Sequence, residues 1–236
     1  MALPLSNNAE GGTNGVTVTT GNSGGSSGNA WDVVTIGASG TFVYDNAQIA
    51  HGSLSYKIIQ AGTPTGIYGA WTTLFGTQTE IWGRFYLYRT GNPVGNHQVI
   101  RILTSATINA TVRIETTGLV TVRGNGATPT TSTVSAIALN AWNRIEFHAQ
   151  ASSTAGVVDA KLFKTADSTT ADETISVSAA NTGANWSEIR YGTQNQATGT
   201  FWLDDLQVNA TGYPGPASSK SFLFQKRFPR YSLIGR

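Results

Sequence analysis

The chain has 236 residues, no cysteine, 27 glycines and a formal net charge of +2. That length allows one large domain with a proper core, and the missing thiols exclude disulfides and thiolate metal sites as sources of stability. No apolar run approaches the roughly 18 residues of a membrane-spanning helix, so no membrane partner is expected.

Residues 1–30 are rich in Gly, Ser, Thr and Asn and read as an N-terminal arm with one short strand over residues 16–20. Their start, "MALPLSNNAEGG", has neither the basic region nor the apolar stretch of a secretory signal, and is expected to be a cytoplasmic start. From Trp31 onward, short β-branched or aromatic runs alternate with turn signals: "WDVVTIG", "TFVYD", "SLSYKIIQAG", "EIWGRFYLYRTGNP", "HQVIRILT", "NATVRIETTG", "LVTVRGNG", "AWNRIEFHAQ", "VVDAKLFK", "SEIRYG" and "TFWLDDLQV". This is the pattern of an all-β, two-sheet antiparallel jelly-roll sandwich over residues 31–210. Helical periodicity is not sustained over ten residues anywhere, and no fixed-period repeat is present.

Alternation within the runs assigns faces. Ile145, Phe147 and Ala149 oppose Arg144, Glu146 and His148, and Val112 and Ile114 oppose Arg113 and Glu115. In "IWGRFYLY", Ile81, Gly83, Phe85 and Leu87 form the core set. Trp82, Arg84, Tyr86 and Tyr88 are left together on the outer face.

The segments "YDNAQIAHGSLSYKI", "IWGRFYLYRTGNP", "LNAWNRIEFHA" and "IRYGTQNQATGTFWLDDLQV" resemble, in that order, the concanavalin A-like lectin/glucanase jelly rolls, a group that includes laminin-G-like domains and several polysaccharide lyases. The opening "NNAEGGTNGVTVTTGNSGGSSGNAWD" and the exit "NATGYPGPASS" are similar to the ends of such domains in tailed-bacteriophage virion proteins. That resemblance implies a non-enzymatic structural protein of a phage particle, a capsid decoration or minor tail component. It would be made in the host cytoplasm and located in the virion, as a homo-oligomer or in many copies. The alternative is a carbohydrate-active protein, either a glycan-binding module or a polysaccharide lyase.

Asp204 and Asp205 are adjacent, so on a regular strand they point to opposite faces and form no catalytic pair unless a bulge intervenes. One is expected to be solvated and the other hydrogen-bonded beneath loops. The hydrolase branch of the resemblance implies two carboxyls on one strand face, and here Glu115, Glu146 and Glu188 each stand alone. The lyase branch implies Arg, His, Tyr and Gln, types that Arg84, Tyr86, His97, Gln98, Arg113 and His148 supply in a local spelling unlike lyase motifs. No catalytic residue, cofactor or metal site is therefore assigned; a single calcium ion would need several oxygen ligands that no acidic loop offers.

The glycan-binding candidates are Trp82, Arg84, Tyr86, Tyr88, Arg113, Arg144, Glu146 and His148, because aromatic faces and planar polar groups suit sugar rings. The same residue types also support loops or meet other subunits.

Residues 211–236 form a Pro/Gly exit and a tail. The tail carries Lys220, Lys226, Arg227, Arg230 and Arg236 with no acid, interleaved with Phe222, Phe224, Phe228 and Tyr231. Such apolar content is unlike a disordered nucleic-acid-binding arm. Phe222, Phe224, Lys226, Arg227, Phe228, Arg230 and Tyr231 are expected to anchor the domain to other virion proteins, while the body contacts host-surface glycans.

Overall fold

The computed structural model describes residues 3–61, 66–194 and 198–217, apart from the side chains of residues 134 and 135. The expected anchor in the tail lies outside these residues. In chain order the strands are β1 (Leu5–Asn7), β2 (Val33–Ile36), β3 (Gly40–Asp45), β4 (Ser55–Gln60), β5 (Ile67–Trp71), β6 (Glu80–Arg89), β7 (His97–Thr104), β8 (Thr107–Ile114), β9 (Leu119–Gly124), β10 (Thr130–Ala136), β11 (Trp142–Gln150), β12 (Gly156–Phe163), β13 (Glu173–Ala180), β14 (Glu188–Thr193) and β15 (Gly199–Asn209).

They form two antiparallel sheets. The front sheet runs β13-β12-β11-β6-β15-β4-β3, with β1 also paired along β15, and the back sheet runs β10-β9-β8-β7-β14-β5-β2. Inward residues of both meet in one core. Ile81, Phe85, Ile145 and Phe147 come from the front, and Ile100, Ile102, Val112, Val122 and Ile189 from the back. Trp31 packs against Trp71 at a ring separation of 4.5 Å and against Tyr191 at 5.9 Å. Two glycines make this closeness possible: a Cβ on Gly83 would lie 2.1 Å from the Phe147 ring, and one on Gly69 would lie 2.5 Å from Trp31. Any side chain there would push an aromatic ring out of the core.

Four strands were not expected from the sequence: β1, β5, β10 and β13. Each is short, or rich in Ser, Thr or Gly, so its apolar positions are few. In β13 only Ile175, Val177 and Ala180 are buried. The strand expected at residues 16–20 reduces to a single bridge between Thr17 and Val43. The Gly-rich segment is nonetheless tied to the sandwich, since the Val18 amide donates to the Phe42 carbonyl and Asn7 Nδ2 donates to the carbonyls of Ser23 and Asn29.

β15 lies between β6 and β4 in the front sheet and also carries β1 along its C-terminal part, while β2 edges the back sheet.

Candidate functional site

The outer face of the front sheet is organised in cross-strand rows, because antiparallel pairing brings outward residues of neighbouring strands opposite one another. One row is Trp142, Tyr88, Trp202 and Lys57, on β11, β6, β15 and β4. The next is Arg144, Tyr86 and Asp204, followed by Glu146, Arg84 and Gln207, and then His148, Trp82 and Asn209.

The middle rows are roofed by three segments. The loop before β4 brings His51 down, the loop after β12 brings Asp167, and residues 211–217 cross back over the sheet after β15. Tyr86 is fully buried, and Arg144 and Glu146 are 1% and 3% exposed. Arg144, Arg84 and Tyr86 hold that roof through hydrogen bonds. Arg144 Nη1 donates to the Ala166 carbonyl, and its Nη2 donates to the Ser168 carbonyl at 2.7 Å. Arg84 Nε donates to the Asp205 carbonyl at 3.1 Å and its Nη1 to the Gly215 carbonyl at 2.8 Å. Tyr86 Oη donates to Asp167 Oδ1 at 2.7 Å and accepts the Ala217 amide at 2.9 Å. Burial, with the Asp167 carboxylate beside it, pushes the Tyr86 hydroxyl up to about 12. Burial lowers Arg84 and raises Glu146, whose partner is Arg144 at 3.1 Å.

Asp204 and Asp205 sit at a β-bulge, marked by a register shift between Asp204 and Gln207 and by φ of 45° at Asp205. Asp204 behaves as expected of the hydrogen-bonded partner. It is fully buried, and its carboxylate accepts the amides of Ala50 (3.1 Å), His51 (3.4 Å) and Asp205 (2.8 Å). Burial and the neighbouring Asp205 push this carboxyl up, against those three donors. Asp205 is not simply solvated, because the bulge swings it onto His51 Nδ1 at 2.5 Å. His51 Nε2 reaches Asp167 at 3.2 Å, and the imidazole stands edge-on to Tyr86 at 5.0 Å. The bond to Asp205 outweighs burial and, with Asp167, raises His51 to about 9.

The flanking rows stay accessible. Tyr88 and Trp142 are half-buried with ring centroids 5.6 Å apart, and Trp202, nearly buried, braces Tyr88 edge-on at 5.5 Å. Trp202 Nε1 donates to Asp45 at 2.7 Å, and Lys57 lies over its ring at 5.3 Å. At the far end Trp82 stacks on His148 at 4.8 Å, and His148 bonds Asp159 at 2.9 Å and Glu80 at 3.1 Å.

Seven of the eight sequence-derived glycan candidates thus share this face: Trp82, Arg84, Tyr86, Tyr88, Arg144, Glu146 and His148. Arg113 does not. It belongs to β8 on the back sheet, where it pairs with Glu115 at 2.6 Å. The residue types that would serve a lyase are dispersed as well. Gln98 faces outward on the back sheet, bonded to Arg101 at 2.6 Å. His97 is fully buried between the sheets, accepting Arg89 Nη1 at 2.9 Å and donating to the Gly192 carbonyl at 3.1 Å. That tautomer suits a neutral ring, and burial beside Arg89 holds His97 well below its ordinary value.

Sequence reasoning missed His51, Asp167, Trp142, Trp202 and Lys57 as members of the face. Their grouping depends on strand register and on where two loops fold, which no local spacing encodes. Among the described residues, no group of three or more His, Asp or Glu side chains is arranged to hold a metal ion.

No family model matches the chain, and no curated protein matches it in sequence. Solved structures do match in fold. Endo-β-1,4-glucuronan lyase from the fungus Trichoderma reesei superposes with a TM-score of 0.62 at 14% identity, over 87% of this chain and 94% of that one. The cellulose-induced protein Cip1 superposes with a TM-score of 0.60, also at 14% identity, over 90% of this chain and all of that one. The architecture is therefore a two-sheet antiparallel sandwich of the concanavalin A-like type. Neither structure is a virion protein, and the phage setting expected from the sequence gains no support from them.

Proposed function

We propose that the chain is a carbohydrate-binding domain that lays a neutral glycan over the front face, stacked on Tyr88 and Trp142. The observation that carries this reading is the row Trp142–Tyr88–Trp202, in which two accessible rings are held at fixed spacing by three neighbouring strands and flanked by the Lys57–Asp45 pair. Rigid aromatic faces supply large contact area at low entropic cost. The similarity to a glucuronan lyase and to Cip1 is in keeping with this use of the fold.

Binding is favoured over turnover, because the Tyr86 hydroxyl is already engaged as donor and acceptor and His51 is clamped between two carboxylates. Calorimetry with xylo- and cello-oligosaccharides tests the proposal. Trp142→Ala should lower affinity at least about tenfold, as removal of a stacking anchor does. Equal binding by Trp142→Ala and the unaltered chain would refute it. Release of unsaturated uronate from polyglucuronate would instead establish a lyase.

A further inference from the structure

The back sheet presents a different chemistry. Arg190, Arg101, Thr111 and Arg123 lie in one cross-strand row on β14, β7, β8 and β9. The adjacent row holds Gln98, Arg113 and Thr121. All point away from the core, since their strand neighbours Ile100, Ile102, Ala110, Val112, Val122, Ile189 and Tyr191 are buried.

Arg190 and Arg101 are directly opposed, an arrangement that costs stability when like charges face each other across a ladder. Among the described residues, only two acids meet these four arginines: Glu188 binds Arg190 at 2.6 Å and Glu115 binds Arg113 at 2.6 Å. Arg101 has no carboxylate partner among the described residues. Its Nε donates to Gln98 Oε1 and its Nη2 to the Gln194 carbonyl. Arg123 is exposed and has no hydrogen-bond or ion-pair partner among the described residues. A shallow depression of about 210 Å³ runs between Arg113 and Arg123, lined also by Gln98, Thr111 and Asn125. Burial, with Arg190 alongside, lowers Arg101 to about 10, which an anion would offset.

We propose that this row is a second binding site, on the face opposite the aromatic platform, for an acidic polysaccharide. Guanidinium groups of Arg101, Arg113 and Arg123 take its carboxylate or sulfate groups in planar, two-pronged contacts. The side-chain amide of Asn125, which is exposed, meets its sugar hydroxyls. A nucleic-acid ligand fits less well, because base stacking needs free aromatic faces. The outward aromatic on this side, Tyr68, is covered by Arg190 at 4.6 Å.

The test is titration of the full chain with polyglucuronate and with heparin, against neutral xylan and double-stranded DNA, at two salt concentrations. Saturable, salt-sensitive binding of either acidic polymer is expected, and the two polymers separate carboxylate from sulfate recognition. Arg123→Glu, at an exposed position that leaves the fold intact, should weaken it at least about tenfold, the loss of one charge-assisted contact, with Arg101→Gln as a second variant. Trp142→Ala should leave it unchanged, which separates this site from the front-face reading. Absence of binding to both polymers, equal binding by Arg123→Glu and the unaltered chain, loss of binding in Trp142→Ala, or tighter binding of DNA would each overturn the proposal.

Discussion

On the front sheet, Arg84 and Arg144 are consumed by carbonyls of the roof and by Glu146, and the centre of the face is closed. On the back sheet, Arg101 and Arg123 pair with no acid among the described residues, and Arg123 is exposed. Both faces arise from the same inward–outward alternation. The difference lies in which loops fold over them: three segments converge above Tyr86, whereas Arg123, at the end of the opposite row, is exposed. An outward position in a strand is thus a solvent position only if no loop claims it, and a cluster of charges is a site only where its partners run out.

Removing the acceptor that holds the front roof should produce the largest effect. Asp204→Ala leaves three amides, of Ala50, His51 and Asp205, without their carboxylate in a buried place. A loss of about 3 kcal/mol is expected, seen as a melting temperature lower by about 6–12 °C for a domain of this size. A loss below about 1 kcal/mol would show that the roof contributes little.

The second test is pH. His51 is raised in the folded chain to about 9 from the usual 6.5. Its contribution is therefore complete below about pH 6.5 and lost as pH rises through about 9. Urea unfolding should give a stability lower by about 2 kcal/mol at about pH 10 than at about pH 6, beyond what other groups contribute. His51→Gln should remove that difference. If the variant keeps the full pH dependence, the clamp by Asp205 and Asp167 is not its source.

The smallest expected effect is on the back face, where Arg123→Ala should change stability by less than about 0.5 kcal/mol, as surface changes without partners do. A larger loss would mean that Arg123 has a structural partner and would weaken the contrast between the faces. Chelation is likewise expected to leave the melting temperature within about 1 °C, because the core alone supports the fold.

Much of this was legible in the sequence. Alternation placed Ile81, Gly83, Phe85 and Leu87 inward and Trp82, Arg84, Tyr86 and Tyr88 outward, as observed. Apolar runs marked the long strands, but β5 and β13, in which Gly, Ser, Thr and Ala dilute the signal, did not stand out. The site was only half legible. Seven of its residues were named because they share two strands whose spacing is local, but Arg113 was grouped with them although sheet membership is a non-local property. His51 and Asp167 were invisible for the same reason: a loop residue joins a face only when the chain folds back. Asp205 turned against expectation because a bulge changed its direction, and nothing in "WLDDLQV" marks the bulge.

Tyr88 and Trp142 are the accessible rings on which a glycan would stack. Hydroxyl-radical footprinting of the full chain, with and without a bound xylo- or cello-oligosaccharide, reads the solvent exposure of each ring directly. The glycan reading predicts loss of reactivity at Tyr88 and Trp142, with Tyr68 on the back sheet unchanged. Protection of Tyr68 instead, or unaltered reactivity of Tyr88 and Trp142 in a saturated complex, would contradict it.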